Sequence, residues 1–400
     1  MVVEWFGFFL AIAILLIGSR YHLGAALISG AVVLGIFTLS PYGIAYNFYS
    51  TLTDPSTMIL IFALSLIPII GGVLQESGLL DQLINNLRIG KKLFLGFSPA
   101  LLGLLPIPGG ALFSAPMIDK AGENLEGHEK TAINVWFRHI LFFIFPIAPA
   151  LIIPADIANL SVYSIIPFTI PFFLLTVVLG YIFFISGTEG KMTYGDEFSF
   201  EKLSVPLGII LIAPALDFII KRIFVLYDFG PESIATLIAI STSLISLLFI
   251  INWEKDIIKD AVYEMEPWNF VIMLFGIFLF INMFNSSGID NLVESLNLSG
   301  ISLAIGVGFL LGLATGRINV PASVVIPIYL ASLGLDVLSP LVFALVWTSV
   351  FMGYVLTPVH PCVGISLEYF DADMKEFLKI MTPPILISLA VTTLTYIILV

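Results

Sequence analysis

Long apolar windows alternate with short polar connections along the whole chain. Windows near 4–19, 22–40, 57–75, 131–154 and 162–186 read as membrane-crossing helices in the first half. Windows near 204–224, 232–252, 267–285, 339–361 and 376–399 do so in the second. Two further apolar pieces, 93–118 and 301–332, are interrupted near their middles by glycine and proline. In the second piece, Ile301–Ala314 and Ala322–Ala331 flank the run Thr315-Gly316-Arg317-Ile318-Asn319-Val320-Pro321. Neither arm reaches the ~20 helical residues needed to cross ~30 Å of hydrocarbon. A re-entrant hairpin, turning at mid-depth and leaving by the face it entered, fits these lengths. Irregular backbone at that depth is tolerated only where protein buries it or where it lines a watery cavity. The pattern therefore predicts an all-α polytopic membrane protein with ten crossings and two re-entrant hairpins, and it places function at the hairpin tips.

The two halves match in order. Ser77-Gly78-Leu79-Leu80-Asp81 aligns with Ser287-Gly288-Ile289-Asp290, allowing one gap. Leu102-Gly103-Leu104 aligns with Leu311-Gly312-Leu313, Pro116 with Pro327, and Pro146-Ile147-Ala148-Pro149 with Pro358-Val359-His360-Pro361. Four matches in register predict a duplication. Residues 1–203 form repeat one, with hairpin 93–118 and broken helix 131–154. Residues 204–400 form repeat two, with hairpin 301–332 and broken helix 339–361. Five crossings per repeat is an odd number, so the second repeat is expected to be inverted. The basic residues agree. With both termini on one face, the loops of the other carry twelve of the sixteen Lys and Arg residues. The positive-inside rule makes that face cytoplasmic and puts both termini outside. Trp253 and Trp268 are expected as interface anchors bracketing a loop that holds Lys255 and Lys259.

Composition removes whole classes of function. With 59% hydrophobic and 11% charged residues, the chain is not a soluble domain. A net charge of −12 argues against a nucleic-acid partner. The single cysteine, Cys362, allows no internal disulfide. Four histidines fall in no HExxH spacing, and no phosphate-binding glycine loop with lysine is present, so neither a zinc protease nor an ATP-driven pump is indicated. The run Phe6–Ile17 lacks a basic flank and a cleavage site, and is expected to be a retained span.

The chemistry is expected where the proline pairs break helices 131–154 and 339–361. Such breaks aim bare N–H groups or carbonyls at one another. Two tips and two broken helices meeting near mid-membrane form the arrangement in which secondary transporters bind substrate and coupling ion. Arg317 is the sharpest candidate, because a guanidinium at that depth costs at least ~2.5–3.5 kcal/mol without a partner or an anion. Its planar fork suits a carboxylate or phosphate. The expected substrate contacts are Arg317, Asn319, Ser323, Thr357 and His360, with Gly109, Gly110 and Ser114 from repeat one. A coupling Na⁺ would draw on Thr315, Asn319, Asn134 and the backbone at Pro108 and Ala148, whereas H⁺ coupling would draw on His360. Arg138 is expected to snorkel to the cytoplasmic face; His139, about 100° away on the helix, cannot easily share one site with it, which leaves one of the two to face the cavity. Asp217, Asp156, Asp290 and Asp336 are all expected near span ends, which leaves a cation/proton antiporter without an embedded carboxylate. A channel is disfavoured because no ring of repeated charges is present.

The stretch Leu104-Leu105-Pro106-Ile107-Pro108-Gly109-Gly110-Ala111-Leu112-Phe113-Ser114-Ala115-Pro116-Met117-Ile118-Asp119 resembles that of a ten-span prokaryotic family, the domain of unknown function numbered 401. The resemblance covers essentially the whole chain. That family is grouped with the ion transporter superfamily, which includes divalent anion/sodium symporters, gluconate permeases and Na⁺/H⁺ antiporters. The resemblance implies an inverted-repeat fold, a homodimer, an elevator motion and a place in a prokaryotic plasma membrane. The Ser-Asn-Thr triplets of the divalent anion symporters are missing. Arg317-Ile318-Asn319 and Leu356-Thr357-Pro358 stand in their places, which speaks against a Na⁺-coupled dicarboxylate carrier. The expected function is ion-coupled (Na⁺ or H⁺) transport of a small organic anion, without catalysis or cofactor. Cation/proton antiport is the alternative, with an intramembrane enzyme or a channel behind it.

Overall fold

The computed structural model describes residues 2–105, 107, 109–192, 194, 197–227, 229–296 and 298–400. Pro106 and Pro108 of the first tip, the latter an expected ion contact, lie outside the described residues.

Helix boundaries follow local chemistry. After α1 (Val2–Gly18), the His22 ring accepts from the backbone N–H of Ala25 (3.1 Å) and starts α2 (Leu23–Thr38). Ser40 and Asp54 cap α3 (Pro41–Thr53) and α4 (Pro55–Glu76), each with proline in the first turn, where its missing N–H is harmless. Gly78, left-handed at φ 69°, leads into the short α5 (Leu79–Asn85). The first interrupted piece forms α6 (Lys91–Gly103) and α7 (Ala111–Ala121). Glu126 and Glu129 close a capping box at the start of α8 (Gly127–Ile140). That helix ends in a 3₁₀ turn, Leu141–Phe143, before α9 (Pro149–Ile157) and α10 (Val162–Gly180).

A similar order returns after α11 (Phe200–Tyr227), α12 (Glu232–Ile250) and α13 (Lys255–Met265). Following α14 (Pro267–Ser286), Gly288 at φ 71° opens the short α15 (Ile289–Glu294). The second interrupted piece forms α16 (Gly308–Thr315), entered through a π-helical run at Ser302–Val307, and α17 (Asn319–Ser332). Ser339 caps α18 (Pro340–Leu356), which stops before Thr357. Then come α19 (Pro361–Tyr369) and α20 (Met374–Leu399). Thus α4–α10 and α14–α20 run alike: long helix, left-handed glycine, short helix, two arms, helix, break, short helix, long helix.

Among the described residues, seven helical stretches are long and apolar enough to cross a membrane, so the chain is an all-α polytopic membrane protein. They are α4, α10 with its π-helical extension to Ile185, α11, α12, α14, α18 with α19, and α20. Of the other expected crossings, α1 and α2 are apolar helices of 17 and 16 residues, and 131–154 is divided between α8 and α9. The segment holding Lys255 and Lys259 is a helix and not the expected loop. Ala261 and Met265 of α13 pack under Gly72 of α4, giving the segment an apolar face that its charges concealed.

Burial separates two kinds of helix. On α11 and α20, Leu211, Ile219 and Leu394 point outward from the bundle, as lipid-facing side chains do. By contrast α18 is enclosed: Trp347 and Phe351 pack edge-on against Phe143 of the 3₁₀ turn, with ring centroids 4.4 and 4.8 Å apart. Its neighbour α16 approaches through glycine. A Cβ at Gly312 would land on the Val350 carbonyl, and one at Gly353 on the Phe309 carbonyl. A Cβ at Gly103 of α6 would likewise land on the Arg138 carbonyl of α8.

One acid departs from expectation. Asp217 is fully buried within α11 and not at a solvated span end. Its carboxylate pairs with Lys221 one turn on (3.2 Å) and accepts from Tyr163 Oη (2.6 Å) and Thr236 Oγ1 (2.7 Å). Those donors make the burial tolerable.

Candidate functional site

Interruptions of the helices converge on one cavity of about 360 Å³. Gly109 and Gly110 reach it from the first tip, Gly316–Asn319 from the second, and His360–Cys362 from the break between α18 and α19. The end of α8 adds Arg138 and His139, and the last turn of α18 adds Tyr354. Leu23 of α2 and Phe270 and Met273 of α14 supply an apolar wall.

The second tip and the break are built against each other. Gly316 takes φ 59°, a left-handed turn that closes α16, and its N–H donates to the Gly312 carbonyl (3.1 Å). A Cβ there would sit 2.6 Å from the His360 backbone nitrogen, so glycine is needed for contact as well as for conformation. The Gly316 carbonyl lies 3.4 Å from His360 Nδ1. Thr357 holds the break open, its Oγ1 accepting from the Val359 N–H (3.2 Å) and its carbonyl from the His360 N–H (3.2 Å).

Around this junction the rings of His139, Tyr354 and His360 pack edge to face. Tyr354 and His360 are 4.1 Å apart, and His139 and His360 are 4.9 Å apart. Arg138 is buried, and its guanidinium donates to Ser114 Oγ (3.3 Å) and to the Leu102 carbonyl (3.3 Å). Arg317 is half-buried and differs. Its backbone N–H donates to Thr315 Oγ1 (3.3 Å), but among the described residues its side chain makes no hydrogen bond. Among those residues no Asp or Glu lies within ion-pair distance of either guanidinium. Asn319 Oδ1 and His360 Nε2 are buried without a partner. The cavity thus carries two cations, an open acceptor and an open imidazole nitrogen. Unpaired buried groups of this kind favour a ligand that completes them.

The structure brings together Arg317, Asn319, His360, Gly109 and Gly110 of the expected substrate contacts. It does not place Ser114, Ser323 or Thr357 on the cavity. Ser323 is fully buried and donates to the Val320 carbonyl (2.8 Å), while Ser114 donates to Asn134 Oδ1 (2.6 Å) and positions Arg138. Of the expected ion contacts, Asn319 alone among the described residues lines the cavity. Asn134 is fully buried and donates to the Ala111 carbonyl (3.1 Å) and Ser366 Oγ (3.0 Å). Thr315 Oγ1 donates to the Leu311 carbonyl (2.8 Å), and the Ala148 carbonyl accepts from the first turn of α9. Arg138 does not snorkel, because glycines 103 and 110 open a pocket for it inside the bundle. The expectation that the two neighbours could not easily share one site does not hold, since Arg138 and His139 both line the cavity. Tyr354 and Cys362 were not anticipated. Each lies within a turn of the break, which is the only signal the sequence offered.

These features define a polytopic helical membrane protein with a cavity where its helix interruptions meet. The chain belongs to the family described as protein of unknown function (DUF401), whose profile matches residues 6–399. Among solved structures it is similar to the Alcanivorax borkumensis YdaH transporter, with a TM-score of 0.62, 16% identity and 97% of each chain covered. No curated protein matches the chain in sequence.

Proposed function

We propose that this protein is an ion-coupled secondary transporter of a small organic anion in a prokaryotic plasma membrane. Two inverted repeats, 1–203 and 204–400, each contribute five crossings and a re-entrant hairpin, at 93–118 and 301–332. Both termini lie outside, and two copies assemble as a homodimer working by an elevator motion. Supporting the repeat are the common order of α4–α10 and α14–α20 and the equivalent glycine contacts at Gly103 and Gly312. Supporting the class is the likeness in fold to a protein named as a transporter.

The observation that carries the anion reading is Arg317, a cavity-lining cation with no carboxylate partner among the described residues. Arg317 clamps the anion, Asn319 and His360 orient it, and Gly109 and Gly110 let the first tip approach it. The buried acid Asp217 does not favour cation/proton antiport, because Lys221 neutralises it and it does not line the cavity. Thermal stability in detergent, measured against a panel of small organic anions with Na⁺, with K⁺ and at two pH values, tests this. An anion at 100 times its Kd adds about 2.7 kcal/mol, and Arg317→Ala abolishes that gain. Stabilisation by Na⁺ or pH alone, unchanged in Arg317→Ala, would replace anion transport with antiport.

A further inference from the structure

The cavity contains a donor set of which the anion reading uses His360 alone. The ligand atoms of His139, His360 and Cys362 all lie within 4.8 Å of one another. A backbone carbonyl faces Nδ1 of each histidine: Val135 at 2.7 Å from His139 and Gly316 at 3.4 Å from His360. A neutral imidazole that donates from Nδ1 presents its lone pair at Nε2. His139 Nε2 is 3.8 Å from Cys362 Sγ, and His360 Nε2 is buried with no partner. A carbonyl fixing the far nitrogen is the usual companion of a metal-ligating histidine.

We propose that His139, His360 and Cys362 form a Zn²⁺-binding site inside the cavity. Two imidazoles and one thiolate match the preference of Zn²⁺ for nitrogen and sulfur, at about 2.0–2.1 and 2.3 Å. Donors around such an ion stand about 3.5 Å apart, so the side chains close in by about 1 Å on binding. The Zn–S bond forms as the Cys362 thiol releases its proton to solvent. The resulting thiolate shares the cavity with the Arg138 guanidinium, whose charge favours the ionised sulfur. Three protein ligands leave a fourth position, which opens into the cavity that all three residues line. This site goes beyond the anion reading and does not rest on it.

Cys362 is the chain's single cysteine, so a maleimide reports on this site in the unmodified protein. Zn²⁺ is expected to slow labelling by about tenfold or more, while Mg²⁺, which prefers oxygen ligands, leaves it unchanged. In His360→Ala and in His139→Ala, the Zn²⁺ needed for protection rises more than about 100-fold. Co²⁺ in place of Zn²⁺ gives a thiolate charge-transfer absorption that Cys362→Ser removes. Arg317→Ala, which abolishes the response to anions, retains the protection by Zn²⁺. Equal labelling of the unmodified protein with and without Zn²⁺ overturns the site, as does protection that survives loss of both histidines.

Discussion

Two buried polar constellations sit among these helices, and they follow opposite rules. Around Asp217 the carboxylate is fully partnered: Lys221, which also reaches Glu232 at 3.9 Å, pairs with it at 3.2 Å, and Tyr163 and Thr236 donate to its two oxygens. In the central cavity the balance is missing. Arg317 has no carboxylate within reach among the described residues, and Asn319 Oδ1 and His360 Nε2 have no hydrogen-bond partner. Burial alone therefore does not distinguish structural from functional polarity in this protein. Completeness does. A satisfied network holds helices together and has nothing left to offer a ligand, whereas an unsatisfied one gives up stability that a ligand can restore.

This contrast can be broken from either side. Lys221→Met strands the Asp217 carboxylate without its cation and is expected to cost about 3–5 kcal/mol, seen as a lower unfolding midpoint in detergent. Adding Asp217→Leu to that variant should recover most of the loss, since removing both charges of a buried pair is often neutral. No loss in the single variant would mean that the pair is solvated and the contrast false. Tyr163→Phe deletes one donor to a charged acceptor and should cost about 1.5–3 kcal/mol by the same measurement. The smallest effect is expected for Arg317→Leu, whose side chain has no hydrogen-bond or ion-pair partner to lose among the described residues and which sheds a desolvation penalty, so its midpoint stays level or rises. A fall as large as that of Lys221→Met would give Arg317 a structural role and end the anion reading.

Much of this was legible in sequence, and the failures have physical causes. Interrupted apolar runs located both tips and both breaks, because glycine and proline act on backbone whatever surrounds them. They also identified Arg317, Asn319, His360, Gly109 and Gly110 as cavity neighbours. Ser114, Asn134, Ser323 and Thr315 do not line the cavity because a hydroxyl or amide in a helix has a local acceptor available, and each of these bonds to carbonyls or to its neighbours instead. Arg138 was misplaced because its pocket is made by glycines 35 and 28 residues away in sequence, beyond any window along one helix. Asp217 was misjudged because its partners Tyr163 and Thr236 come from two other helices.

The crossing of α16 and α18 sets a condition on everything that happens at the second tip. Where Gly312 and Gly353 meet, main chain rests on main chain, with no layer of side chains between to yield. A rotamer change cannot absorb displacement there, so α16 follows wherever α18 goes. Its span with α19 also holds the most enclosed apolar stretch of the seven, 78% of an 18-residue window lying inside the protein. The guanidinium of Arg317 hangs one residue beyond that anchored tip. A side chain with no hydrogen bond among the described residues is thus mounted beside a crossing where main chain rests on main chain, like a free hand on a clamped arm.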